Sequence, residues 1–303
     1  MPAGSALVFM KRIDTHQHFW QLSRGDYSWL ANAEEPDRLA PIRRDFMPED
    51  LFDQLSQHGV EKTILIQATD TVAETNFLLN LASQHDWIAG VVGWVDMQNP
   101  NSCTQLEVWA RHPKFKGIRP MLQDIAEIDW IARAPHDDVV RTLVRLGLRF
   151  EALVLPQHLA PLLRFVERWP ELSVVIDHAA KPQMAKGWAA EWAHAWRAGM
   201  QELSQMPNIY CKLSGLLTET GVGAHSQGDF QESTHRIEPA WEDLLTWFGT
   251  DRILWGSDWP VLELAADYTK WIAMTERLLK GLSQVEQTKI WYDNASTFYQ
   301  LTR

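Results

Sequence analysis

Two histidines stand one residue apart near the start of the chain, in Ile13-Asp14-Thr15-His16-Gln17-His18-Phe19-Trp20. On a helix they would point to different sides, whereas on a strand positions i and i+2 share a face, so both imidazoles converge on one place. That arrangement suits a metal ion or another charge, although an HxH pair alone is equally an ordinary strand end with two polar residues. Residues far along the chain shift the balance. Gln67, Arg119, Asp177-His178, Lys212, Ser214 and Asp258 each fall at the end of a segment rich in apolar and β-branched residues. Buried polar side chains are costly unless paired, so their recurrence at the same end of successive segments calls for a common partner.

The elements that position these residues follow from periodicity. Eight β-rich segments occur, at Arg12–Phe19, Thr63–Asp70, Ile88–Asp96, Phe115–Leu122, Arg149–Leu155, Leu172–Ala179, Ile209–Gly215 and Arg252–Asp258. Between them, Pro48–His58, Glu74–His85, Cys103–His112, Asp137–Leu146, Leu159–Trp169, Trp188–Met206 and Glu238–Phe248 carry apolar residues at helical spacing. Strands alternating with helices predict parallel βαβ units closing into an α/β fold, a (β/α)8 TIM barrel. The runner-up, an open doubly wound sheet, would place a glycine-rich phosphate loop after strand 1, where His16-Gln17-His18-Phe19 stands instead. No linker or low-complexity tract divides the chain, so residues 11–303 read as a single domain behind a tail of residues 1–10. Two long insertions, Gln21–Asp45 after strand 1 and Leu216–Arg236 after strand 7, leave the carboxyl ends of strands, where barrel active sites lie, and are expected to wall the site.

Composition sets the partner class. A formal net charge of -11 across 303 residues disfavours nucleic acid and anionic membrane surfaces and points to a small molecule. No apolar run is long enough to span a membrane and Met1–Met10 lacks a signal-peptide pattern, so a cytoplasmic location is expected. Cys103 and Cys211 are too few for a disulfide framework. Of sixteen tryptophans, Trp20, Trp29, Trp94, Trp130 and Trp259 fall at strand ends or in the following loops, where an aromatic face suits a flat ring or simply packs the loop.

Taken together, Asp14-Thr15-His16-Gln17-His18-Phe19-Trp20, Ile176-Asp177-His178-Ala179-Ala180-Lys181-Pro182, Trp255-Gly256-Ser257-Asp258-Trp259-Pro260 and Asn294-Ala295-Ser296-Thr297-Phe298-Tyr299 resemble the amidohydrolase superfamily. Within it, the chain is similar to the branch of sugar lactonases and 2-pyrone-4,6-dicarboxylate lactonases, from about residue 11 to 300. The resemblance implies that His16, His18, His178 and Asp258 form the catalytic cluster. It also implies one divalent metal, Zn²⁺, on His16, His18 and Asp258, in a branch that works with or without metal. Many members add a lysine at the end of strand 4 and a histidine at the end of strand 5. Here Arg119 and Phe150-Glu151-Ala152 occupy those places, which argues against a two-metal centre and leaves Glu151 as a substitute ligand.

The implied chemistry is lactone hydrolysis. Asp258 takes the proton of water and returns it to the departing ring oxygen, while metal, or His178 with Arg119 or Lys212, polarises the carbonyl. Arg119, Gln67, Trp29 and Lys212 are the expected substrate-binding residues. Two carboxylates would call for paired arginines, and the strand ends supply one, so a neutral aldonolactone such as fucono-, galactono- or rhamnonolactone is favoured over a pyrone dicarboxylate. Other readings are a metal-dependent decarboxylase of the same superfamily and a non-catalytic binding protein on a barrel scaffold. A homo-oligomer is compatible with the sequence.

Overall fold

A computed structural model of the chain describes residues 10–31, 37–222 and 229–301. Residues 1–9 of the expected tail lie outside the described residues. All eight expected strands form: β1 (Arg12–Gln17), β2 (Val60–Ile66), β3 (Ile88–Gly93), β4 (Phe115–Ile118), β5 (Arg149–Ala152), β6 (Val174–Ile176), β7 (Ile209–Leu213) and β8 (Ile253–Trp255). They pair in parallel and in chain order. Each stops short of its expected carboxyl end. Sheet pairing ends there, and Gln67, Arg119, His178, Ser214 and Asp258 stand just beyond the last paired residues.

The edges β8 and β1 meet through their carboxyl ends. Asp258 N–H donates to the His16 carbonyl at 2.7 Å, and His18 N–H donates to the Trp259 carbonyl at 2.8 Å. The Thr15 hydroxyl adds a bond to the Trp255 carbonyl at 2.7 Å. This close approach needs Gly256, since a Cβ there would lie 2.8 Å from the His16 Cβ. The result is a nearly closed (β/α)8 barrel. Its register slips between Asp14 and Gln17. Such a bulge re-aims side chains, and it lets both Ile13 and the two histidines serve the interior despite their opposite parity.

One long helix follows each strand: Pro48–Gln57, Val72–Gln84, Ser102–Trp109, Asp137–Leu146, Leu159–Arg168, Glu191–Ser204, Asp229–Phe248 and Tyr268–Leu279. Local chemistry sets their ends. Thr71 Oγ1 accepts the Glu74 N–H at 3.0 Å at one N-terminus, and Gly147, at φ +65°, ends the helix whose Val139, Val140 and Leu143 are buried. Each such side chain taken out of water contributes roughly 1.5–3 kcal/mol. The last helix lies beyond the expected pattern, although Asp267 caps it and Tyr268, Trp271, Ile272, Thr275 and Leu279 form its buried stripe. Among the described residues, none of these helices is long and apolar enough to cross a membrane.

The insertions differ from expectation in one respect. Residues 21–31 and 37–45 fold as short helical turns over the carboxyl ends of the strands. The second insertion is shorter than it looked, because the helix Asp229–Phe248 starts inside it. Residues 223–228 of that stretch lie outside the described residues. At the other end of the barrel, Ile13, Ile64, Ile66, Val92, Val175 and Leu254 pack with Ala295, Phe298, Tyr299 and Leu301 of the C-terminal segment.

Candidate active site

Above this apolar layer the barrel interior turns ionic. The Lys212 side chain, on β7, is fully buried. Its ammonium lies 2.5 Å from Glu151 Oε2, 3.2 Å from Asp177 Oδ1 and 3.1 Å from His16 Nδ1. The Tyr299 hydroxyl donates to the second oxygen of Glu151. Burial outweighs Lys212 at Glu151 and pushes its carboxyl up to about 7. Burial would also raise Asp177, but Lys212, His16 and Arg119 together hold it well below the usual carboxylate range.

The next layer holds the imidazoles. Asp258 Oδ1 lies 3.4 Å from His18 Nε2, 3.7 Å from His16 Nε2 and 3.7 Å from His178 Nε2. Burial disfavours the Asp258 anion, yet the neighbouring His178, His18 and His16 side chains outweigh it and keep the carboxyl below its ordinary range. The same burial lowers all three imidazoles, His178 to about 4. A neutral imidazole trio thus surrounds an ionised carboxylate.

Several of these side chains are set by unusual backbone. His178, Ala179, Ala180 and Lys181 are consecutively left-handed, with φ between +48° and +58°, and Asp258 sits at φ +63°. Non-glycine residues pay about 1–2 kcal/mol each for that conformation. It is held by the Trp196 indole, which donates to the Ala179 carbonyl at 2.7 Å, and by full burial of Ala179 and Ala180. Gly215, itself at φ +61°, makes room, because a Cβ there would lie 2.4 Å from His178 Nδ1. Ser214 Oγ pairs with that same nitrogen at 2.9 Å. Asp14 braces β1 against β8: its carboxylate accepts from the His16 and Ser257 amides and the Ser257 and Tyr268 hydroxyls. Burial raises it to about 6.

A cavity of about 680 Å³ opens over this layer. His18, His178, Asp258 and Arg119 form its floor, Trp20, Trp29, Leu39, Leu153 and Leu264 contribute apolar wall, and Arg38, Asp124, Lys181 and Glu219 are its further charged groups. Burial raises the carboxyls of both Asp124 and Glu219. Of the residues expected to touch substrate, Arg119 and Trp29 line the cavity. Lys212 and Gln67 do not. Lys212 lies beneath His16 within the ionic layer, and Gln67, also fully buried, donates to the Arg119 carbonyl at 2.6 Å. Among the loop tryptophans, Trp94, Trp130 and Trp259 are absent from the wall. Arg38, Asp124, Lys181 and Glu219 gave no sequence signal, since charged residues in loops look the same whether they face solvent or a cavity.

The donor set fits a metal ion. His16, His18 and Asp258 offer ligand atoms within 4.8 Å of one another. His18 Nδ1 lies 2.9 Å from the Ile66 carbonyl, an acceptor only, so Nδ1 carries the proton and Nε2 presents a lone pair. That lone pair faces a carboxylate oxygen 3.4 Å away, a pairing that asks for a cation between them. A second group of donors, His16, Glu151 and Asp177, surrounds a position already filled by the Lys212 ammonium.

Residues 13–301 match the family described as Amidohydrolase. A Burkholderia ambifaria protein named L-fucono-1,5-lactonase is 41% identical over 296 residues, covering 96% of each chain. A Burkholderia multivorans protein of the same name is 34% identical over 297 residues, again 96% of each. The crystal structure of an amidohydrolase from Burkholderia multivorans with bound zinc superposes with a TM-score of 0.86 at 33% identity, covering 96% of this chain and 100% of that one.

The ionic layer makes a quantitative prediction. Lys212→Met strands two buried carboxylates, so urea unfolding should show a loss of about 3–5 kcal/mol. Adding Glu151→Gln should return part of it. A single variant as stable as the parent would remove Lys212 from this role.

Proposed function

This chain belongs to the amidohydrolase family, and we propose that it opens the ring of a six-membered sugar lactone, L-fucono-1,5-lactone or a close relative, to the hydroxy acid. One observation carries the reading: an ionised carboxylate, Asp258, ringed by three neutral imidazoles on the floor of a cavity whose wall is part aromatic and part polar. The two L-fucono-1,5-lactonases of Burkholderia supply the substrate.

In this reading Asp258 takes a proton from water as the oxygen adds to the lactone carbonyl carbon. His178 and Arg119, both on the cavity floor, donate to the oxyanion that forms. Lys212 is excluded from that role by its place below His16. As the ring C–O bond breaks, Asp258 returns the proton to the departing ring oxygen. A divalent ion, zinc by analogy with the Burkholderia multivorans structure, would be held by His16, His18 and Asp258 and supplies Lewis acidity at the carbonyl and the water. Trp29 offers an aromatic face to the ring's apolar side, and Asp124 and Glu219 offer acceptors to its hydroxyls.

Three measurements test this. In a panel assayed by acid release, L-fucono-1,5-lactone and related aldonolactones should be hydrolysed well. A pyrone dicarboxylate turned over a hundredfold better than every sugar lactone would overturn the substrate class. Asp258→Asn keeps the side-chain shape and removes the proton acceptor, so kcat should fall by about 10² or more with unchanged unfolding. The pH profile follows from burial. With His178 lowered to about 4, its neutral form persists through mildly acidic solution, so its imidazole resonances in histidine-labelled protein should hold still from pH 7 to pH 5 and move only towards pH 4. An inflection at the ordinary histidine value of about 6.5 would contradict the buried, neutral trio.

A further inference from the structure

We infer that Arg119 is the resident cation of this site and competes directly with a divalent metal for the Nε2 lone pair of His16. The inference rests on the metal-binding reading of His16, His18 and Asp258 and adds what governs occupancy there.

A neutral imidazole has one lone pair and one N–H. On the Nδ1 side of His16 stand the Lys212 ammonium at 3.1 Å and Asp177 Oδ1 at 3.4 Å. On the Nε2 side stand Arg119 Nη1 at 3.2 Å and Asp258 Oδ1 at 3.7 Å. For Nε2 to ligate a metal, Nδ1 must keep the proton and give it to Asp177, while the Lys212 ammonium directs its own protons to Glu151 and Asp177. That same tautomer lets Nε2 accept from Arg119. Metal and guanidinium therefore want one lone pair in one tautomer, and only one of them can have it. Charge reinforces the exclusion, because a divalent ion beside a guanidinium in this buried floor meets strong repulsion.

Arg119 has an alternative place to go. Its Nη2 donates to the Gln67 carbonyl and its Nη1 lies 3.7 Å from Asp177 Oδ2, but its Nε is buried without a partner. The side chain borders the cavity, so it has space to withdraw into. When the guanidinium stays, the floor keeps a positive charge next to Asp258 without any ion. When an ion binds, it does so by displacing that charge, which weakens metal affinity and leaves hydrolysis less dependent on metal.

The test measures Zn²⁺ affinity of the metal-stripped full-length protein by competition with a chromophoric chelator. Arg119→Met removes the guanidinium, and Arg119→Lys keeps a positive charge on a chain too short to hold His16 Nε2. Direct competition predicts that both variants bind Zn²⁺ at least tenfold more tightly. A gain in Arg119→Met alone would mean that charge repulsion suffices, and no gain in either would mean no competition; both results overturn the inference. Should either variant fail to fold, a Zn²⁺-loaded crystal of the unaltered protein decides. Arg119 Nη1 should have left His16 Nε2, and an ion on that nitrogen with Arg119 still in hydrogen-bond contact would refute the proposal. Turnover of L-fucono-1,5-lactone by the unaltered protein is read separately, so a wrong substrate assignment shows itself there without moving the affinities.

Discussion

Everything at the catalytic end of the barrel depends on an ammonium group that has no access to water. Lys212 is fully buried, and an isolated charge in that position would cost far more than folding can supply. Glu151 Oε2 and Asp177 Oδ1 make it tolerable at 2.5 and 3.2 Å, with the His16 ring packed beside it at 3.1 Å. These partners arrive from β1, β5 and β6, so the ion cluster forms only when the barrel closes. The Tyr299 hydroxyl, from the C-terminal segment that plugs the other end, fixes Glu151 from below. The apolar layer and the ionic layer are thus joined through one tyrosine.

From that layer the charge balance of the floor follows. Two buried cations, Lys212 and Arg119, face three buried carboxylates, Glu151, Asp177 and Asp258. An added proton or ion therefore has a place to go. Burial keeps the three imidazoles from supplying it by protonation, which leaves Asp258 as the unpaired anion at the cavity. Three imidazole nitrogens converge on one oxygen of that carboxylate, and the lone pair of His18 Nε2 makes the place between them one for a cation. A proton acceptor produced this way is ionised at neutral pH and still close to the groups that must stabilise an oxyanion.

The fold was legible because its signals are periodic. Apolar and β-branched runs mark all eight strands, and the order of strand and helix leaves few topologies. The His16, His18, His178 and Asp258 grouping was legible too, since strand-end placement in a parallel barrel brings distant residues to one rim. What sequence could not tell was depth. Lys212 and Arg119 are both cations near strand ends, yet one lies under His16 and the other at the cavity. The bulge between Asp14 and Gln17 shifts parity without any glycine or proline to announce it. The charged groups of the cavity wall were missed for a related reason. Lys181 and Glu219 reach it from irregular segments whose path depends on tertiary contacts rather than on local pattern.

The left-handed run at His178–Lys181 shows how such contacts prevail over propensity. Nothing in Asp177-His178-Ala179-Ala180-Lys181 favours positive φ, and an isolated peptide of this sequence would avoid it. Around it, Trp196 holds the Ala179 carbonyl, Gly215 clears the His178 ring and Ser214 fixes its Nδ1. The turn carries His178 to the floor and Lys181 to the wall in four residues, which an extended exit from β6 could not do. Asp258, at φ +63°, is placed in the same manner, with its own N–H tied to the His16 carbonyl across the seam of the barrel. Strain at two strand ends is therefore the means by which the proposed base and its imidazole partners meet, and the close packing of neighbouring strands is what sustains it.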